Sequence, residues 1–258
     1  MNLWLRASAF ALALCAAPAI VGAASVPSGL RSTGTIVVQA NVSGQPLTAG
    51  GNIALYRRDN RYRLDLLSFG FPGTDPAMSA VFGALIPAGG ATVLYDGTDG
   101  SLTLYSNANH AYYTEAPHAA AAPPTPVAAQ TPNAGRDPLA ALAVLTRQLH
   151  DVQSASVFFT GHSMLNGHPV ANLDILLKRH VPGKALEDYH ATLALADDLN
   201  GFPVRILFSS TPPTKDAFGG SLRIDLTSVQ SDTPDDATFA VPAGYARVNS
   251  MSDVLKPH

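Results

Sequence analysis

Cysteine and tryptophan each occur once in the 258 residues, as Cys15 and Trp4. A single cysteine excludes a disulfide scaffold and any cysteine zinc site. Charge is also scarce, at 14% of residues against the ~25% of a typical soluble domain. The net charge is −3, so the chain offers no basic face for nucleic acid. No stretch beyond the N-terminus is long and apolar enough to cross ~30 Å of hydrocarbon. No Gly-rich phosphate loop follows a strand and opens a helix, so a nucleotide site is not indicated, and no cofactor is expected. Apolar residues make up 47%, an ordinary share for a globular protein, and turn formers are many, with 21 glycines and 20 prolines. That composition is too apolar for a disordered chain and points to many turns.

Residues 1–24 read as a cleaved secretory signal. Arg6 precedes an apolar stretch, Ala7 to Ala17, that Pro18 interrupts, and small residues Gly22-Ala23-Ala24 lead to Ser25. Lipidation at Cys15 is the lesser reading, because bulky Leu14 precedes it. Cleavage removes Cys15, so residues 25–258 are expected to form one cysteine-free domain in the periplasm, held together by its core and acting as a monomer.

Period-two alternation marks strands with one buried face over much of this region. Candidates are Thr35–Val42, Asn52–Arg58, Arg61–Ser68, Ala91–Asp96, Ser101–Ser106 and His110–Glu115. A second group is Ala155–His162, Val170–Lys178, Tyr189–Leu195, Phe202–Ser209, the run around Leu222, Ile224 and Leu226, and Thr238–Val241. Asp59-Asn60 and Asn166-Gly167 are hairpin turn signals. Two helices are predicted, Asp75–Leu85 and Asp137–Val152, each opened by Asp-Pro and carrying an apolar stripe. Between them the Pro/Ala-rich link at 116–136 is too poor in apolar periodicity to build a core. The fold class is mainly β with some α. One curved antiparallel sheet would form an incomplete barrel, with helices packed on its concave face.

Motifs for catalysis are weak. Gly161-His162-Ser163 begins like a hydrolase elbow, but Leu165 replaces the second glycine, and the flanks read as antiparallel strands rather than strand then helix. A serine hydrolase at Ser163 with His162 or His168 is thus a remote alternative. The eight histidines show no metal-ligand spacing and read as solvated. Asp197-Asp198 and Asp235-Asp236 lie in turn sequences, which their backbone-bonding side chains favour. Arg57, Arg58, Arg61 and Arg63 bracket a turn. They read as residues that blunt a sheet edge, with an anionic head group as the alternative.

Several phrases in order resemble the LolA/LolB-like superfamily of exported bacterial proteins, of the outer-membrane lipoprotein-sorting or DUF4412 type. They are Ile53-Ala54-Leu55-Tyr56-Arg57-Arg58 with Arg61-Tyr62-Arg63-Leu64-Asp65, Leu94-Tyr95-Asp96-Gly97 and Ala111-Tyr112-Tyr113. Asn200-Gly201-Phe202-Pro203-Val204-Arg205 and Phe239-Ala240-Val241-Pro242-Ala243-Gly244-Tyr245 complete the series. The resemblance implies a curved, incomplete β-barrel closed by helices, whose apolar interior holds acyl chains. The expected function is a non-enzymatic periplasmic carrier or sensor for an acyl chain, a lipoprotein or another apolar ligand. The expected lining is Tyr62, Leu64, Leu66, Val93, Tyr95, Leu173, Ile175, Val204 and Ile206, with Met78 and Phe82 from the first helix. The alternative is an envelope interaction module with a filled core, acting through a sheet edge or the link.

Overall fold

The computed structural model describes residues 29–42, 45–71, 90–115, 152–179, 187–199, 201–211 and 220–255. They form one open, curved sheet of twelve strands. The strands are β1 (Gly29–Val42), β2 (Gln45–Arg58), β3 (Arg61–Leu66), β4 (Ala91–Asp96), β5 (Ser101–Ser106), β6 (Ala111–Glu115) and β7 (Val152–Leu165). After them come β8 (His168–Arg179), β9 (Glu187–Ala196), β10 (Phe202–Thr211), β11 (Gly220–Ser231) and the two-residue β12 (Ala246–Arg247). Their order in the sheet is β12-β6-β5-β4-β3-β2-β1-β11-β10-β9-β8-β7.

This order is two antiparallel meanders, β1 to β6 and β7 to β11, joined where β1 pairs with β11. Each meander follows from alternation plus tight turns. Asn166 and Gly167 have φ of 52° and 86°, as the two-residue hairpin turn between β7 and β8 requires. Asp59 likewise takes a φ of 54° between β2 and β3. Only β12 runs parallel, beside β6.

Close approach of backbones sets two glycines. Gly34 sits at a bulge of β1 against β11, where an added Cβ would lie 2.0 Å from the Asp225 carbonyl oxygen. At Gly51 an added Cβ would lie 1.7 Å from the Ser68 carbonyl oxygen. There the chain leaving β3 folds back on β2, and Gly50 and Gly70 exchange backbone hydrogen bonds of 2.9 and 2.8 Å.

Several boundaries differ from the sequence expectation. β1 begins at Gly29 and β2 at Gln45, earlier than the alternation suggested, because Ser32 and Gly34 continue the buried face of β1 without being apolar. β7 runs on to Leu165. Thr238–Val241 is not a strand. Asp236–Phe239 is a 3₁₀ turn, capped by the Asp235 carboxylate, which accepts from the Thr238 backbone N–H at 2.9 Å. The two predicted helices lie outside the described residues, except Val152, which opens β7. Helix among the described residues is limited to that turn and α1 (Met251–Val254).

Candidate functional site

One face of the sheet carries an apolar cluster that reaches from β5 through β1 and β11 to β7. Direct cross-strand partners share a face, so the register reads out its rows. One row is Leu55, Leu64, Val93 and Leu104 across β2 to β5. In the other meander Ile224, Ile206, Leu193 and Leu173 run across β11 to β8, and Ile36 of β1 joins them to the first half. These residues belong to a single buried cluster. It also takes in Tyr62 and Tyr95, whose rings lie 6.2 Å apart.

Of the expected lining, Tyr62, Leu64, Val93, Tyr95, Leu173, Ile175 and Ile206 are buried together in this cluster. Leu66 is half-buried and packs against it. Val204 lies elsewhere. A bulge between Pro203 and Arg205 breaks the alternation of β10, and Val204 packs in a second cluster with Val170, Ala194 and Ala196. Met78 and Phe82 lie outside the described residues.

The four arginines separate onto two faces. Arg57 is opposite Leu30 on one side and Tyr62 on the other, so it belongs to the apolar face. It is only 8% exposed. Its Nε donates to the Asp59 carbonyl at 3.2 Å, and its guanidinium carbon lies 5.8 Å from the Tyr62 ring centre. Grouping it with its surface neighbours missed this. The signal was present in the spacing Ile53, Leu55, Arg57.

Arg58, Arg61 and Arg63 occupy the opposite face and hold the C-terminal segment against it. Arg58 donates to the Pro234 carbonyl at 3.0 Å, and Arg63 to the Thr238 carbonyl at 3.0 Å. Arg61 pairs with Asp236 at 2.6 Å and lies 5.1 Å from the Phe239 ring centre. The hydrogen bond from Arg61 and the nearby Arg58 charge hold the Asp236 carboxyl below its usual range. Arg63 also pairs with the buried Asp65 at 2.8 Å, and Thr92 donates to the same carboxylate oxygen at 2.7 Å. The arginines thus anchor a strap rather than blunt a free edge. The strap continues as β12 beside β6 and ends in α1, whose Val254 is fully buried in the apolar cluster.

Around Ser163 the geometry is that of a hairpin. Ser163 lies opposite Val170 in an antiparallel pair, and its hydroxyl accepts from Asn172 Nδ2 at 3.0 Å. The strand, sharp elbow and helix of a hydrolase nucleophile are not found here. His162 lies 3.4 Å from Asp197, and His168 lies 2.8 Å from Asp198. These pairs tie the β7–β8 hairpin to the β9–β10 turn. No group of three or more metal-ligating side chains occurs among the described residues. Nor is any helix among them long and apolar enough to cross a membrane.

No family model matches the chain, and no curated protein does. Among solved structures it is similar to PNGF-II at 9% identity and a TM-score of 0.36, covering 84% of this chain and 31% of PNGF-II. It therefore spans about a third of that protein's length. It is also similar to the lipoprotein LppX of Mycobacterium tuberculosis, at 13% identity and a TM-score of 0.28, over 76% of this chain and 84% of LppX. A third likeness is an outer membrane lipoprotein-sorting protein domain from Vibrio parahaemolyticus, at 10% identity and a TM-score of 0.18, over 83% of this chain and 90% of that domain.

Proposed function

We propose that the protein is a non-enzymatic carrier or sensor of the bacterial periplasm, exported by residues 1–24. It holds the acyl chain of a lipid or lipoprotein, or another apolar ligand, against the inner face of its sheet. The observation that carries this reading is the extent of that face. A single sheet carries one apolar cluster that reaches across both meanders. Such a wall is suited to long aliphatic chains, since each buried CH₂ contributes ~0.8 kcal/mol. Ser163, paired opposite Val170 in an antiparallel hairpin, is not set as an elbow nucleophile.

The test is extraction and mass spectrometry of the protein purified after export, with displacement of an uncharged apolar dye by fatty acid. Co-purified lipid, or saturable displacement, supports the carrier. Dye that never binds, together with a lipid-free extract, overturns it.

A second reading is favoured by the other end of the sheet. Phe158 is 49% and Met164 67% exposed on β7, the terminal strand among those described. An envelope partner docking on that edge would cover them.

A further inference from the structure

Arg57 is a buried cation on an apolar face, and among the described residues no carboxylate forms an ion pair with it. Its contacts are the Asp59 carbonyl, a neutral acceptor, and the Tyr62 ring. Asp65 pairs with Arg63, and Asp236 with Arg61 and Arg58, on the opposite face; Asp59 meets Arg57 through its backbone carbonyl. Glu115 ends the same row, opposite Leu102, four strands away. A charge withdrawn from water without a counter-charge is costly, and a fold keeps one where an anion repays it.

Position gives the chemistry of that anion. Arg57 is next to the last residue of β2, at the end of the apolar rows beside the Asp59-Asn60 turn. Leu55, Leu64 and Val93 extend from it along the face. A ligand that fits both features has a charged head at the turn and an aliphatic tail over the leucines.

We propose that Arg57 binds the anionic head, carboxylate or phosphate, of an acyl amphiphile whose tail lies on the inner face. The guanidinium fork suits either head, because two of its N–H groups can meet two oxygens of one anion. This rests on the carrier reading above and assigns that site its polar end.

The test compares three competitors of equal tail length for the same uncharged dye, phenylnaphthylamine, on the exported protein. They are hexadecanoate, hexadecyl phosphate and hexadecanol. The anions are expected to displace the dye at concentrations roughly tenfold or more below the alcohol, the usual worth of a charge-assisted hydrogen bond. The stronger anion identifies the head group. Arg57→Gln should abolish the preference, and Arg57→Lys should keep part of it. Equal displacement by all three leaves the carrier standing and overturns the role of Arg57, as does a folded Arg57→Gln that still prefers anions. Failure of all three to displace the dye, or of the dye to bind, overturns the carrier and the head-group site with it. Should Arg57→Gln not fold, the wild-type comparison and the lysine variant decide.

Discussion

Asp225 accepts hydrogen bonds from Arg205 on β10 and Arg223 on its own strand. Burial alone would raise its carboxyl, but the two guanidinium partners outweigh burial and hold it below the ordinary range. The native state therefore keeps this proton off at pH values where the unfolded chain, with its carboxyl near ~3.9, takes it up. Stability from this site is full above that value and is lost as pH falls below it. Asp225→Asn should accordingly unfold more readily than wild type at neutral pH, and the gap should narrow below about pH 4. Denaturant midpoints measured across that range give the answer; a gap that widens on acidification would show that other groups govern. At this scale the sequence was readable where alternation was regular, as at Tyr62, Leu64 and Ile206. It misled at Val204, because a one-residue bulge leaves no local signature and breaks the alternation. It also misled at Arg57, because residue type argued for the surface while position argued for the core.

Strands were legible as elements because a half-buried ribbon needs period two and the turns carry Asn, Asp and Gly. Their ends were less so, because Ser32 and Gly34 are buried in β1 without being apolar, and polarity masks them. The fold-back after β3 left no pattern at all, since backbone contact at Gly51 selects for a missing side chain. Gly51→Ala has no room for its methyl beside the Ser68 carbonyl, and the resulting backbone shift should cost roughly 1–3 kcal/mol. A denaturant titration tests it, and a change under half a kilocalorie would mean that the crossing relaxes freely. The C-terminal strap was read as a final strand, whereas its hold comes from distant arginines and from Val254. Val254→Ala should remove packing worth roughly 1–3 kcal/mol. Its sharper readout is local. Faster amide exchange at Ala246 and Val248, whose N–H groups bond to His110 and Tyr112 carbonyls at 2.8 Å, should accompany it. Unchanged exchange there would show that the arginine contacts hold the strap alone.

As a whole, the molecule treats its two sheet edges differently. At β6 the chain covers itself, with β12 alongside and α1 packed behind. At the other end β7 is terminal among the described strands, fourteen residues long and without one Lys, Arg, Asp or Glu. Long uncharged edges pair readily with other chains, which is why natural sheets usually place charge on them. Two bulges interrupt β7, leaving a regular run, Ser154–Phe159, between them. That run ends in Phe158 and Phe159, 49% and 42% exposed. Phe158 lies directly opposite Asp174 of β8. A lysine in its place would add charge to the edge and face a carboxylate across the ladder, so the fold should tolerate it within about 0.5 kcal/mol. Phe158→Lys should therefore lower concentration-dependent association, seen by sedimentation velocity, while its melting curve stays close to wild type. Wild type that sediments as a monomer at every concentration would show that the bulges already protect this edge. Association surviving the lysine would place the contact elsewhere on the surface.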